Sequence, residues 1–208
     1  MNWEGKSILI TAGPTWVPID KVRVISNIAS GRTGILLAQE CSKRGARVSL
    51  FLGPVSSCCL RGSIRLVRFS YFEELKAKIM KELKKRRYDF IVHSAAVSDF
   101  RPQKKAGSKI SSGAGVSLKL KPLPKIIGCI KRLSRDAQVT IFKLECGVAD
   151  ATLIKRAQSA RDKYNAEFVV ANRLEPYRAF IIDRRDRVKR FASKEGLVNG
   201  LLNAMSKR

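Results

Sequence analysis

The stretch SILITAGPTWVPIDKVRVISNIASGRTG, residues 7–34, decides how the rest of the chain is read. Ser7 to Ala12 is a short apolar run of β type that stops at Gly13, after which Pro14 and Pro18 punctuate a polar loop. From Thr33 the apolar spacing turns helical, with Ile35, Leu36, Ala38 and Cys41 in register and Gly45 as the stop. A strand therefore runs through a long loop into a helix headed by SGRTG, 30–34. Gly13, Ser30 and Gly31 are small enough for the backbone there to approach a ligand closely. The free N–H groups and the dipole of a helix start favour an anion at that point. The dinucleotide fingerprint G-x-G-x-x-G is absent, because Gly31 and Gly34 are the next glycines after Gly13, and so is the Walker pattern. No acid follows the second strand (FLGPVSS, 51–57), so the ribose-binding carboxylate of an NAD site is missing. Two readings stand: a Rossmann-like nucleotide loop of non-standard length, or a glycine-rich turn needed only for helix–strand packing.

Working outward, ARVSLFLG (46–53) and IRLVRF (64–69) read as strands, and 72–87 as a basic amphipathic helix with Leu75, Ile79 and Leu83 on one face. YDFIVHSAA, 88–96, is a nearly continuous apolar strand. Residues 97–121 break the pattern with SGAG and six basic residues against one acid, Asp99, which suggests a mobile basic flap or hairpin. A helix over 123–134, a strand at QVTIFKL (138–144), a helix over 151–164 and a strand at AEFVVA (166–171) follow. RAFIID (178–183) and RVKRFA (187–192) flank a turn at Arg184–Asp186, and a helix over 193–206 closes the chain. Strands buried on both faces and alternating with helices predict a Rossmann-like, mostly parallel sheet with helices on both faces and a C-terminal edge hairpin. No repeat or composition break divides residues 1–208, so a single domain is expected, with its flap at about 97–121.

Composition narrows the chemistry. With 45% hydrophobic residues in 208, disordered and fibrous classes are excluded. No apolar run is long enough to span a membrane, and the N-terminal residues read as a first strand rather than a signal peptide, so a cytoplasmic protein is expected. The one histidine, His93, lies inside an apolar run and reads as a strand residue without catalytic duty, which also removes histidine-rich zinc sites. Five cysteines, Cys41, Cys58, Cys59, Cys129 and Cys146, form no C-x-x-C pair and read as reduced thiols. The net charge of +25 predicts anionic partners. Nucleic acid is the alternative class, but 7% aromatic content and the lack of a recognition motif speak against it. A nicotinamide-dependent reductase is disfavoured by the missing fingerprint and acid. The run KELKKRR, 81–87, is most simply a solvated helix face.

AGPTWVPIDKVRVISNIASGRTG, 12–34, resembles the signature of the phosphopantothenate–cysteine ligase family. HSAAVSDFRP (93–102), SKISS (108–112), LKPLPKII (120–127) and EFVVANRL (167–174) are similar to four further blocks of that family, in the same order. The resemblance implies the ligase half of the bifunctional coenzyme A biosynthesis flavoprotein. That half joins 4′-phosphopantothenate to cysteine through an acyl-cytidylate, with CTP as co-substrate and Mg2+; animal members use ATP. It also implies a homodimer, no flavin in this chain, and a separate decarboxylase chain, since little sequence precedes residue 7.

Carried over by position, the resemblance assigns Asn27 to the acyl-cytidylate, Arg23 to phosphate and Lys109 to a flap over the triphosphate. An amide suits the first role because it holds a carbonyl or phosphate oxygen without titrating, and a guanidinium grips phosphate bidentately. Nucleotide contacts are implied for Gly13, Ser30, Gly31, Ala95, Ala96, Asp99, Leu123, Pro124, Lys125, Ile126 and Phe142. The family's paired lysines before the IVAN-type strand fall on Ala160 and Tyr164 when counted back from Asn172, so Lys163 or Arg161 would substitute through a one-residue shift. Val17 stands where the family has glutamate, Ser111 and Ser112 where it has flap lysines, Lys125 where many members have aspartate, and Arg173 where it has aspartate.

Overall fold

A computed structural model describes residues 3–56, 59–113 and 115–206; of the five cysteines, Cys58 lies outside them. In chain order the elements are β1 (Ser7–Ala12), β2 (Trp16–Pro18), β3 (Val24–Ser26), α1 (Arg32–Lys43), β4 (Arg47–Leu52) and β5 (Ile64–Arg68). Then come α2 (Phe72–Lys85), β6 (Phe90–His93), β7 (Phe100–Pro102), β8 (Leu120–Pro122), α3 (Ile126–Leu133) and β9 (Gln138–Leu144). The last are α4 (Asp150–Lys163), β10 (Phe168–Arg173), β11 (Arg178–Asp183), β12 (Val188–Phe191) and α5 (Lys194–Met205).

Eight strands form one sheet in the order β12-β11-β10-β9-β6-β1-β4-β5. The six from β10 to β5 are parallel, and β11 and β12 add an antiparallel hairpin at the edge. The sheet is thus mostly parallel, as the apolar runs predicted. Its centre is β1, where Ile8, Leu9 and Ile10 are fully buried. Alternation along the strand assigns them to opposite faces. Ile8, Ile10 and Ala12 pack with Leu37, Ala38 and Cys41 of α1 and Leu197 and Leu201 of α5. Leu9 packs with Leu75 and Ile79 of α2, Ile130 of α3 and Leu153 of α4. Each such aliphatic side chain contributes roughly 1.5–3 kcal/mol by leaving water. Burial holds the Cys41 thiol up at about 12, which keeps it inert, and Cys41, Cys59, Cys129 and Cys146 are all free thiols. No helix among the described residues is long and apolar enough to cross a membrane.

Three details differ from the sequence reading. The loop after β1 is not irregular throughout: Trp16–Pro18 and Val24–Ser26 pair antiparallel, with Trp16 opposite Ser26. The apolar strand predicted over 88–96 ends at His93, because Ser94 turns in and both its N–H and its hydroxyl donate to the Thr11 carbonyl. The flap is rooted by a small β7–β8 ladder, extended by a bond from Gln103 N–H to the Lys119 carbonyl. Its first arm is pinned. Asp20 accepts from the N–H groups of Val22 (2.7 Å), Arg23 (2.7 Å) and Ile110 (3.1 Å), and the Arg23 guanidinium bridges Asp20 and the Ile110 carbonyl at 3.0 Å each. Those backbone N–H groups, Ile110 first, hold the Asp20 carboxyl down at about 2.

Candidate functional site

β1 is the topological switch point: the chain leaves it toward β4 on one side, and β6 lies on the other. In open parallel sheets the crevice outside the carboxyl ends of the strands at that point is where ligands bind. A cleft of about 780 Å³ lies there. Gly13 after β1, His93 to Val97 after β6, Ile141 to Leu144 of β9 and Asn172 of β10 line it, together with the first turn of α1.

The head of α1 is shaped by two glycines. Gly31, the N-cap, has φ 67, and a Cβ there would lie 3.2 Å from the Gly13 nitrogen. A Cβ on Gly34 would lie 2.5 Å from the Ala12 Cβ and 2.8 Å from the Ser94 hydroxyl, so α1 sits tight against β1 because this residue has no side chain. No acid occupies the first turn and the N-cap Gly31 has no side chain; the Ser30 hydroxyl accepts from the Arg32 N–H at a long 3.4 Å. The following N–H groups and the positive dipole end favour an anion.

Opposite, the Asn27 side-chain amide donates to the Ala96 carbonyl at 3.0 Å, which ties the loop before α1 to the bend after β6. Four cationic residues, Arg32, Lys125, Lys143 and Lys194, line the cleft against a single carboxylate, Asp99. Lys125 pairs with Asp99, Lys143 with Glu145 at 2.9 Å, and Arg32 with Glu195 at 3.0 Å. Lys194 lies 5.8 Å from the centre of the Tyr177 ring. His93 Nδ1 is 2.9 Å from the Thr11 hydroxyl, and burial pushes the imidazole down to about 4. It is therefore neutral at pH 7 and serves as a fixed dipole rather than a titrating base.

Of the residues singled out from sequence, Gly13, Asn27, Ser30, Gly31, Ala95, Ala96, Asp99, Lys125, Ile126 and Phe142 line this one cleft. Arg23, Lys109, Leu123, Pro124 and Lys163 do not. Arg23 is spent on Asp20 and the flap, and Lys109 is exposed beside that anchor. Leu123 is buried in the core under α3, while Pro124 is exposed. Lys163 is displaced by helix geometry. Ala160 and Tyr164 face the cleft, whereas Arg161 is buried against Asp162 and Asp186, and Lys163 lies over the Tyr164 ring at 5.7 Å. The unshifted count from Asn172 thus falls on two cleft-lining residues, neither of them a lysine. Val17 is buried in the core, where an ionised glutamate would need a partner. Arg173 pairs with Asp150 at 3.4 Å. Sequence reasoning missed Arg32, Lys143, Lys194 and Tyr177 in the cleft lining, and no local signal distinguishes these cations from the rest of a basic chain.

Fold and cleft together define a Rossmann-like α/β domain with its ligand crevice at the strand-end switch point and an anion-seeking helix terminus inside it. The chain belongs to the DNA/pantothenate metabolism flavoprotein C-terminal domain family, which it matches over residues 3–207. It is 38% identical over 174 residues to the coenzyme A biosynthesis bifunctional protein CoaBC of Thermococcus kodakarensis, covering 84% of this chain but only 43% of that protein. It therefore spans less than half of that relative. The DNA/pantothenate metabolism flavoprotein from Streptococcus pneumoniae shares the fold at a TM-score of 0.86 and 24% identity, covering 97% of this chain and 98% of that one. A Cab2 variant solved in complex with phosphopantothenate-cysteine matches at a TM-score of 0.79 and 18% identity, covering 97% of this chain and 87% of that one.

Proposed function

We propose that this domain joins 4′-phosphopantothenate to L-cysteine in coenzyme A biosynthesis, using CTP. The observation that carries the reading is the Asn27 amide bridging to Ala96 in the cleft that the head of α1 also lines, within the family's matched span. In the first step a carboxylate oxygen of phosphopantothenate attacks the α-phosphorus of CTP and pyrophosphate leaves. In the second the cysteine amine attacks the acyl carbon, the amide forms and CMP leaves. The α1 N–H groups hold phosphate, and Asn27 with the 95–97 backbone holds the reacting acyl phosphate. Arg32, Lys143 and Lys194 offset the anionic charge that accumulates. Preorganised dipoles and positioning supply most of the rate in such a site. That suits a cleft whose imidazole is neutral, because the cysteine amine meets an acyl group that the first step has already activated.

Base selection is assigned to main-chain groups of 95–99 with Phe142 as an apolar wall, and Asp99 held by Lys125 at the rim. Magnesium is assigned to the nucleotide's own phosphates. Among the described residues no group of three His, Cys, Asp or Glu side chains could hold a metal ion. The following decarboxylation is assigned to a flavin-dependent unit other than this domain, and the setting to the cytoplasm. A homodimer is proposed on the exposed apolar side chains of the two small hairpins, Val24, Phe100 and Leu120, and on Ile28.

Pyrophosphate release tests the reading, with phosphopantothenate, each nucleotide in turn, and cysteine present or absent. CTP is expected to exceed UTP by at least about tenfold, since a pocket built to pair with the cytosine amino edge leaves polar groups unsatisfied with uracil. Equal rates with CTP and UTP refute the base assignment, and no pyrophosphate with any nucleotide refutes the function.

A further inference from the structure

A second cleft lies at the opposite edge of the sheet. It measures about 690 Å³ and opens where β1, β4 and β5 begin and α2 ends. Ser7 lines this cleft and Gly13 the first, so the two are about 20 Å apart at ~3.3 Å per residue of strand. Four arginines converge on it from three elements: Arg47 at the start of β4, Arg65 of β5, and Arg86 and Arg87 just after α2.

One of the four is fixed in place. The Arg65 guanidinium donates to the Ser49 hydroxyl at 3.1 Å and to the Tyr88 hydroxyl at 3.3 Å, and it pairs with Glu82. Tyr88 in turn donates to Glu82 at 2.6 Å. Glu82 also lies 3.5 Å from Arg86. Glu82 is thus the one carboxylate within 4 Å of the four arginines among the described residues; Asp89, bonded to Ser7 at 2.8 Å, is matched by Lys6 at 3.8 Å, so three positive charges remain in excess. Arg47 and Arg87 are exposed and have no carboxylate within 4 Å among the described residues. Stabilising the α2 C-terminus explains Arg86 and Arg87 in part, but not Arg47 or Arg65, which stand on strands. Like charges held together around a concavity repel one another, and the arrangement is relieved when a polyanion enters.

We infer that this cleft is a binding site for a phosphorylated small molecule, separate from the nucleotide cleft. Guanidinium forks match phosphate oxygens bidentately, and several placed around one concavity select more than one phosphate oxygen at a time. A nucleic-acid strand fits less well. Tyr88, the aromatic in the lining, is buried with its hydroxyl engaged, so no stacking platform is presented to a base.

The test uses the full chain and pyrophosphate as probe, followed by amide chemical shifts. Pyrophosphate, added without CTP, is expected to shift the amides of Arg47, Ser49 and Arg87 saturably, whatever it does at Gly31 and Ala96. Affinity should fall steeply with salt, and by about tenfold in each of Arg47→Gln and Arg87→Gln, as loss of a charge-assisted hydrogen bond implies. Both substitutions are on exposed side chains, so a folded protein is retained and each variant reports independently. Shifts confined to Gly31 and Ala96, or no saturation at the Arg47 and Arg87 amides, would overturn the inference. So would a short single-stranded oligonucleotide that displaces pyrophosphate from these amides and binds more tightly than it. Because the readout is binding at named amides, failure here leaves the ligase reading standing, and failure of pyrophosphate release leaves this one standing.

Discussion

Gly34→Ala is the most informative single change in the domain. The added Cβ would lie 2.5 Å from the Ala12 Cβ and 2.8 Å from the Ser94 hydroxyl, against an ordinary carbon–carbon contact of about 3.5–4.0 Å. Ala12 cannot withdraw. It is fully buried on β1, which is paired to β4 on one side and β6 on the other. The helix must therefore move by roughly 1 Å, and overpacking of this kind costs about 1–3 kcal/mol. With overlap against two atoms the upper figure applies. Alanine returns up to about 1 kcal/mol of helix propensity, which leaves a net loss near 2 kcal/mol. For a domain of this size that is a fall in melting temperature of about 4–8 °C. The same shift moves the N–H groups at the head of α1, and a displacement of about 1 Å in a reacting geometry costs on the order of a hundredfold in turnover. Gly128→Ala is the control, because Gly128 is also helical but a Cβ there meets nothing within 4 Å. It should be neutral or stabilising by about 0.4–1 kcal/mol. Thermal denaturation and nucleotide titration of both variants decide the matter. A Gly34→Ala protein that melts within about 1 °C of the parent and binds CTP unchanged would refute the close-packing argument.

Other expectations follow from the same geometry. His93 has a folded pKa of about 4 against 6.5, so the unfolded chain takes up a proton first as pH falls. Stability present above pH 6.5 is lost toward pH 4 at up to about 1.4 kcal/mol per unit, and His93→Gln should flatten that slope in urea titrations across the window. Asp20, at about 2 against 3.8, contributes fully above pH 3.8 and loses its contribution as pH falls through about 2. Asp20→Asn should speed amide exchange at Ile110 while β1 amides stay protected; unchanged exchange at Ile110 means the flap is not anchored there. Asn27→Asp removes the amide donor to Ala96 and sets a carboxylate against the phosphates. It should lower pyrophosphate release about 100-fold or more while the protein remains folded by circular dichroism, and near-parental turnover would remove Asn27 from the mechanism.

The fold was legible because burial leaves a periodic trace. The β-type segments at 7–12, 138–144 and 178–183 became β1, β9 and β11 at those boundaries, since each has a run of buried residues bounded at one end or both by less buried ones. Leu75, Ile79 and Leu83 became the buried stripe of α2. The start of α1 was legible too, because its glycines mark it locally, although the groups they make room for, Gly13, Ala12 and Ser94, are brought there by the fold. Long polar segments carried less. The β2–β3 pair is held by three residues a side, too short for alternation to register.

What the chain states by itself, then, is its parallel core and the glycine-marked start of α1, both written in local spacing. Which cations surround that helix start was decided only in three dimensions. Along α4, at ~100° per residue, Ala160 and Tyr164 turn toward the cleft while Arg161 and Lys163 turn aside, and no count of basic residues separates the two. Lys143 and Lys194 enter the lining because β9 and the head of α5 end at the same rim as β1, although each looks ordinary in sequence. Arg47, Arg65, Arg86 and Arg87 form one cleft for the same reason at the opposite rim. Parallel strands in register bring all their starts to one edge and all their ends to the other, and only that register makes neighbours of residues so far apart along the chain.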